Sequence, residues 1–301
     1  MVSLQIKLPN SFLEEEIRCG YKISKEMKKL WAVELDLLAQ VQNICKKHDI
    51  DYFASDGTLL GAVRYGGFIP WDDDIDVMMS RENYIKFCKF AKKELKAPYF
   101  LQTEETDPTS ILGLAKIRNS DTTMILKAHE YRNFKFNQGC FIDIFPLDNI
   151  PDSENERKKF QKKLSRLKER ARILRNRFHQ DYNDKSILKK ILSKVPIKNY
   201  YYLKFEKVCQ KYNHLNTKNC ACIFYKPERV DFFSNKSLLK KELFDFEFLK
   251  IPVPTAYDEL LTITFGDWKK FVIGKSDHGE LIVDTNESYK VFKSSKTGIK
   301  L

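Results

Sequence analysis

The chain has 301 residues, 43% of them hydrophobic and 13% aromatic, with a formal net charge of +12. That composition supplies a sizeable core and excludes a chain disordered throughout. The longest apolar runs, LDLLAQV and ELLTITF, fall short of the about 20 residues a bilayer-spanning helix needs, and MVSLQIKLPNSFLEEE lacks the order of a signal peptide, so a cytoplasmic protein with reduced thiols is expected.

Residues 24–48 read as a helix, with Leu30, Leu37, Leu38, Val41 and Ile44 near helical spacing and Ser24 placed to cap its start. A short strand at 51–54 precedes Gly57 and a short helix at 58–65. Gly66, Gly67 and Pro70 make a turn, 75–79 is a strand, and 81–95 is a helix with Tyr84, Phe87, Cys88 and Ala91 on one face. Four strands follow, at 99–103, 114–119, 122–126 and 140–145. From Ser153 the pattern is helical, and Phe160, Leu164, Leu167, Ala171, Leu174 and Phe178 form an apolar stripe. A second helix at 184–195 ends at Pro196, and a third covers 199–212. The last third is mixed, with PVPT read as a turn before a helix and a loop. This order predicts an α/β (or α+β) domain with a helical elaboration.

The positive charge is local. Residues 157–211 hold 19 lysines and arginines against 4 acids, more than the whole-chain excess, so the rest of the chain is net negative. Such a segment suits a polyanionic partner or an anionic membrane surface, or is a helical pair with solvated lysines.

Within GTLLGAVRYGGFIPWDDDIDVMM (57–79), Asp72, Asp73, Asp74 and Asp76 run into the apolar Val77, Met78 and Met79. On a strand, Asp74 and Asp76 project from one side, about 6.6 Å apart. Unpaired, they repel one another and lose hydration; a hard cation removes both problems. Magnesium keeps water and phosphate oxygens in its shell, so such sites handle phosphates. Asp143, bracketed by Phe141, Ile142, Ile144 and Phe145, is a third candidate acid, as a metal ligand, a general base or a structural acid held by backbone hydrogen bonds. Gly57 and Thr58 offer backbone N–H groups and a hydroxyl to a phosphate, and Arg64 offers a bidentate clamp. Lys116 and Arg118 share a face of their strand, either to neutralise a diphosphate or to decorate an exposed sheet edge.

DYFASDGTLLGAVRYGGFIPWDDDIDVMM, followed by FIDIFPLD, closely resembles the LicD family of phosphocholine transferases, whose module the fukutin-like proteins share. The resemblance starts near Tyr21, includes LAKIRNSDTTMI and IPVPTAYDELLTITFGDW, and thins over 150–225. It implies a nucleotidyltransferase-like mixed sheet with helices: a Gly57-Thr58 turn, a D-x-D at Asp74 and Asp76, and a third acid at Asp143. It implies a single domain over 1–301, with a core at 21–150, a basic helical elaboration at 152–215 and a C-terminal α/β part at 225–301. It also implies Mg²⁺ (or Mn²⁺) and a CDP-activated alcohol, most often CDP-choline. The phosphocholine goes to a hydroxyl of a polyanionic or lipid-linked cell-surface glycan, a lipopolysaccharide or teichoic acid precursor, releasing CMP. The family often has a small residue before Gly57, where this chain has Asp56. Gly266 and Asp267 of FGDW match a family element with a structural or acceptor-side role.

A choline head group needs aromatic faces. Trp71, Phe68 and Tyr65 are the candidates, or they pack the turn. The basic segment is expected to dock peripherally at the inner membrane leaflet. Transfer of ribitol, glycerol or ethanolamine phosphate from its CDP derivative is the alternative chemistry. A nucleic-acid partner is not expected, because the basic residues lie on helices without aromatic–basic interleaving on strands.

Overall fold

The computed structural model describes residues 1–108, 110, 113–131, 134–178, 200–223, 232–274 and 279–297. A short hairpin, β1 (Glu16–Arg18) and β2 (Tyr21–Ile23), leads into α1 (Lys25–Lys47). This helix forms where the periodicity placed it: the Ser24 hydroxyl accepts the Met27 N–H at 3.1 Å, and Leu30, Trp31, Leu37, Leu38, Val41 and Ile44 are buried. Then come β3 (Phe53–Ala54), α2 (Asp56–Tyr65), β4 (Asp76–Ser80) and α3 (Arg81–Glu94). Helix α2 stops at Gly66, whose φ of 62° is the left-handed conformation a glycine adopts without a Cβ clash.

Strands β5 (Tyr99–Gln102), β6 (Ala115–Asn119), β7 (Thr123–Leu126) and β8 (Cys140–Asn149) complete the first half. The principal sheet runs β5-β6-β8-β4-β3. It is mixed: β4 and β8 are parallel and the other neighbours antiparallel. Strand β8 is its axis and runs four residues past the expected end. Pro146 sits opposite Met79 in the ladder. Strand β6 lies between β5 and β8, so Lys116 and Arg118 do not decorate a sheet edge.

Helices α4 (Glu154–Phe178) and α5 (Tyr200–Cys209) pack a satellite core, in which Phe160, Leu164, Leu167 and Ala171 of the predicted stripe meet Tyr202, Phe205 and Cys209. The side chains of Leu174 and Phe178, the helix expected at 184–195 and Pro196 lie outside the described residues. Strands β9 (Asn219–Ala221) and β10 (Phe232–Ser234) extend from the end of β8. A hairpin of β11 (Lys241–Phe246) and β12 (Leu249–Pro254) follows. Here PVPT is not the expected turn. Pro252 and Pro254 lie within β12, which belongs to a two-stranded sheet where missing N–H donors are tolerated. Helix α6 (Tyr257–Phe265), strand β13 (Leu281–Asp284), which pairs with β7, and helix α7 (Tyr289–Thr297) complete this mixed α/β fold. Among the described residues, no helix is long and apolar enough to cross a membrane.

Candidate active site

Strand register builds the first part of the site. The parallel β4–β8 ladder sets Asp76 opposite Asp143, and the antiparallel β6–β8 ladder sets Lys116 opposite the same residue. Lys116, Asp143 and Asp76 therefore stand side by side across three strands. Alternation sends Ile142 and Ile144 to the other face, which is why FIDIF buries an acid inside an apolar strand. Lys116 Nζ lies 2.5 Å from Asp143 Oδ1 and 3.4 Å from the Phe141 ring centroid. Arg118 shares that face, but its Nε donates to Gln102 Oε1 at 2.5 Å and its Nη1 to the Gly139 carbonyl at 2.5 Å, so it ties β5 and the start of β8 to β6.

The second part is the turn before β4. One carboxylate oxygen from each of Asp72, Asp73 and Asp74 lies within 4.8 Å of the others. The strand begins only at Asp76, so Asp74 and Asp76 do not sit on one strand as expected; Asp74 belongs to the approach and joins its two preceding acids instead. Trp31 on α1 anchors this turn, donating its Nε1–H to the Asp72 carbonyl at 2.9 Å. Gly57 is shaped by it as well: a Cβ there would come 2.5 Å from Asp72 Oδ2. Thr58 Oγ1 accepts the Asp76 N–H at 2.8 Å. The start of α2 is thus held against the acids on both sides. Asp56 takes the left-handed φ of 46°, a conformation aspartate tolerates better than most residues, and the Ser55 hydroxyl donates to its Oδ2 at 2.6 Å. The turn survives the departure at that position.

Five carboxylates and one lysine meet here, and the acids show the strain. Burial, then the Asp74, Asp56, Asp143 and Asp72 charges, push the Asp76 carboxyl well above its ordinary range. Burial and the Asp74 and Asp73 charges do the same to Asp72. Asp143 is raised by burial, which the Lys116 charge opposes. Lys116 is itself lowered by burial, with Asp143 pulling it back. An oxygen-only set this rich in carboxylate fits a hard divalent cation.

Glu34 escaped the sequence reading. It is fully buried on α1, neither carboxylate oxygen has a hydrogen-bond partner, and burial followed by the Asp74, Cys140, Asp73 and Asp72 charges raises it well above its usual range. Its signal was present, since an acid sits in an apolar stripe between Trp31 and Leu38. The remaining predicted residues separate. Arg64 lies near the far end of α2, where its Nη2 donates to the Lys270 carbonyl at 3.4 Å. Seven residues of helix put its Cα about 10 Å from that of Gly57. Phe68 is buried and stacked on Trp31 with centroids 4.5 Å apart, so it is core. Tyr65 is half-buried, with the Arg64 guanidinium 5.8 Å from its ring centroid. Trp71, also half-buried, touches Tyr21 and Phe271. Gly266, at φ 69°, ends α6, which gives it a backbone role.

Residues 49–170 match the family model described as LicD/FKTN/FKRP, nucleotidyltransferase domain. The chain is 29% identical to the lipopolysaccharide cholinephosphotransferase LicD of Haemophilus influenzae over 265 residues, which cover 81% of this chain and 93% of that protein. An uncharacterized protein of Rickettsia typhi is 42% identical over 67 residues, 22% of this chain and 21% of that one. The site residues expected between Gly57 and Asp143 lie inside the 49–170 segment that matches the LicD-family domain, and Gly266 and Asp267 lie outside it.

Proposed function

We propose that the protein is a metal-dependent phosphotransferase that moves phosphocholine from CDP-choline to a hydroxyl of a cell-surface glycan, a lipopolysaccharide or teichoic acid precursor, releasing CMP. The observation that carries this reading is the excess of carboxylates at one end of the sheet, five against Lys116, beside the opening of α2. The cholinephosphotransferase relative supports the group transferred and its lipopolysaccharide acceptor.

Asp74 and Asp76 hold the cation, Mg²⁺ or Mn²⁺, with Asp72 and Asp73 beside them. Such a cation would supply positive charge to offset that of the donor diphosphate. The Gly57 and Thr58 end of α2 offers backbone N–H groups to phosphate oxygens. Asp143, paired with Lys116, takes the proton from the acceptor hydroxyl as its oxygen attacks the choline-bearing phosphorus. The P–O bond to CMP breaks and CMP leaves with the electron pair. Positioned general-base help contributes about 10²–10⁴-fold. Lys116 screens the charge that develops on the phosphoryl oxygens.

The exposed lysines and arginines of α4, among them Lys158, Lys159, Lys162, Lys163 and Arg166, dock the protein on the anionic inner leaflet, where a lipid-linked acceptor is within reach. The protein is then cytoplasmic and peripheral. The test is CMP release from CDP-choline with a lipid-linked glycan acceptor and Mg²⁺. Release by the wild type and none by Asp76→Asn supports the reading. Release from CDP-ribitol, CDP-glycerol or CDP-ethanolamine but not CDP-choline overturns the head group and keeps the chemistry.

A further inference from the structure

Three aromatic rings from distant parts of the chain meet beside the acids. Tyr21 comes from β2, Trp71 from the turn immediately before Asp72, and Phe271 from the segment after α6. The Tyr21 and Trp71 ring centroids are 5.6 Å apart with planes at 66°; those of Trp71 and Phe271 are 5.7 Å apart at 86°. The chain then passes close over the indole, since a Cβ on Gly274 would lie 3.5 Å from Trp71 Nε1. Phe271 nonetheless stays 48% exposed, and Tyr21 and Trp71 are half-buried. Here aromatic surface is held open by three elements that nothing local requires to converge.

We infer that Tyr21, Trp71 and Phe271 form the subsite for the trimethylammonium head of the donor, an inference that rests on the proposed function. Two rings near a right angle make a corner, and a rounded quaternary ammonium can touch both faces of a corner at once. A flat nucleobase needs one parallel face and uses a corner poorly. The charge is also favourable. Trp71 is bonded to Asp72, first of the three clustered acids, so the corner lies in a negative field that attracts a cation and adds to the ring quadrupoles. Of the neighbouring basic side chains, Lys269 pairs with Asp258 at 3.2 Å and lies over Trp268, while Arg64 bonds the Lys270 carbonyl beside Phe271. The subsite replaces the trio suggested by sequence proximity. Trp71 stays, Phe68 is in the core, and Tyr21 and Phe271, outside the matched 49–170 segment, take the other two places.

The test is calorimetric titration, with Mg²⁺, of CDP-choline, its uncharged carbon isostere CDP-3,3-dimethylbutanol, and CMP. The proteins are the wild type, Phe271→Ala, Phe271→Tyr and Tyr21→Leu. The wild type should bind CDP-choline about tenfold more tightly than the isostere, the scale of a partly desolvated cation–π contact. Phe271→Ala and Tyr21→Leu should shrink that ratio several-fold with CMP affinity unchanged, and Phe271→Tyr should restore it. Because Phe271 is half exposed, its truncation leaves no core cavity. An unchanged ratio in both truncations overturns the subsite while leaving the transferase reading intact. Loss of CMP affinity in parallel also overturns it and makes the rings a base platform. No binding of CDP-choline by the wild type, with a different CDP-alcohol bound, overturns both.

Discussion

Strand β8 carries two buried aspartates five residues apart, and their surroundings are opposite. Asp148 is balanced: Arg81 of α3 grips it through two bonds, Nε to Oδ1 at 2.8 Å and Nη2 to Oδ2 at 2.5 Å, and also reaches Glu206 of α5. Burial alone would lower the Arg81 guanidinium pKa; the bonds to Asp148 and the Asp148 and Glu206 charges outweigh it and raise it. Asn213 adds a further donor to Asp148 at 2.6 Å. Asp143 is crowded: it has Lys116 and the nearby Arg118 charge, while Asp76, Asp74 and their neighbours press in with charge of its own sign. One acid joins the sheet to the satellite helices. The other belongs to a group in which, among the described residues, acids outnumber the bases beside them. A buried acid is thus a structural residue or a binding residue according to the balance of charge around it, and burial alone does not distinguish them.

The comparison breaks most sharply under mutation. Asp76→Asn should lower transfer by about 10³-fold, the scale of removing a group that stabilises developing charge, with unfolding stability equal to or above that of the wild type because a repulsive charge is gone. A loss of stability in urea titration would place Asp76 with Asp148. Arg81→Met should do the reverse. It leaves the buried Asp148 and the half-buried Glu206 without a counter-charge and should cost about 3–5 kcal/mol in urea unfolding, with turnover per folded molecule retained.

The pH dependence sharpens the contrast. Asp72, Asp76, Asp143 and Glu34 all have native pKa values raised above the unfolded ones. Such acids hold protons in the fold that the unfolded chain releases near pH 4. Their contribution is full below that point and is lost as pH climbs through the raised native values. In EDTA, thermal stability should therefore fall as pH rises from about 5 to 8. Added Mg²⁺ should restore it most at the high end, and Asp76→Asn should flatten the slope. The smallest effect is expected at Gly57→Ala. The new Cβ meets a side chain, Asp72 Oδ2, which can rotate away, and alanine favours the helix by about 1 kcal/mol, so stability should barely change. Donor affinity measured by calorimetry should still drop several-fold, since Asp72 must move.

What the sequence disclosed followed from local chemistry. The α1 periodicity with Ser24, the alternation that isolates Asp143, and the acids at the mouth of β4 are all consequences of near neighbours. Contacts between distant segments were not legible. The β1–β2 hairpin has three-residue strands and no strong alternation. Strand β6 looked like a possible edge because nothing in LAKIRN says what lies on either side. That Asp74 lies with Asp72 and Asp73 in the turn, ahead of the strand that starts at Asp76, depends on where the strand begins, where the Thr58 hydroxyl accepts the Asp76 N–H. The meeting of Tyr21, Trp71 and Phe271 spans most of the chain, and no periodicity encodes it.

The most direct measurement is calorimetric titration of CDP-choline onto the wild type and Asp76→Asn, each with Mg²⁺ and with EDTA, alongside thermal unfolding of both proteins. Donor binding is expected for the wild type in Mg²⁺ alone and not for Asp76→Asn, with a melting temperature for the variant no lower than that of the wild type. Equal donor binding by the two proteins, or binding indifferent to EDTA, would contradict the claim that the clustered acids at this end of the sheet are a cation-dependent donor site.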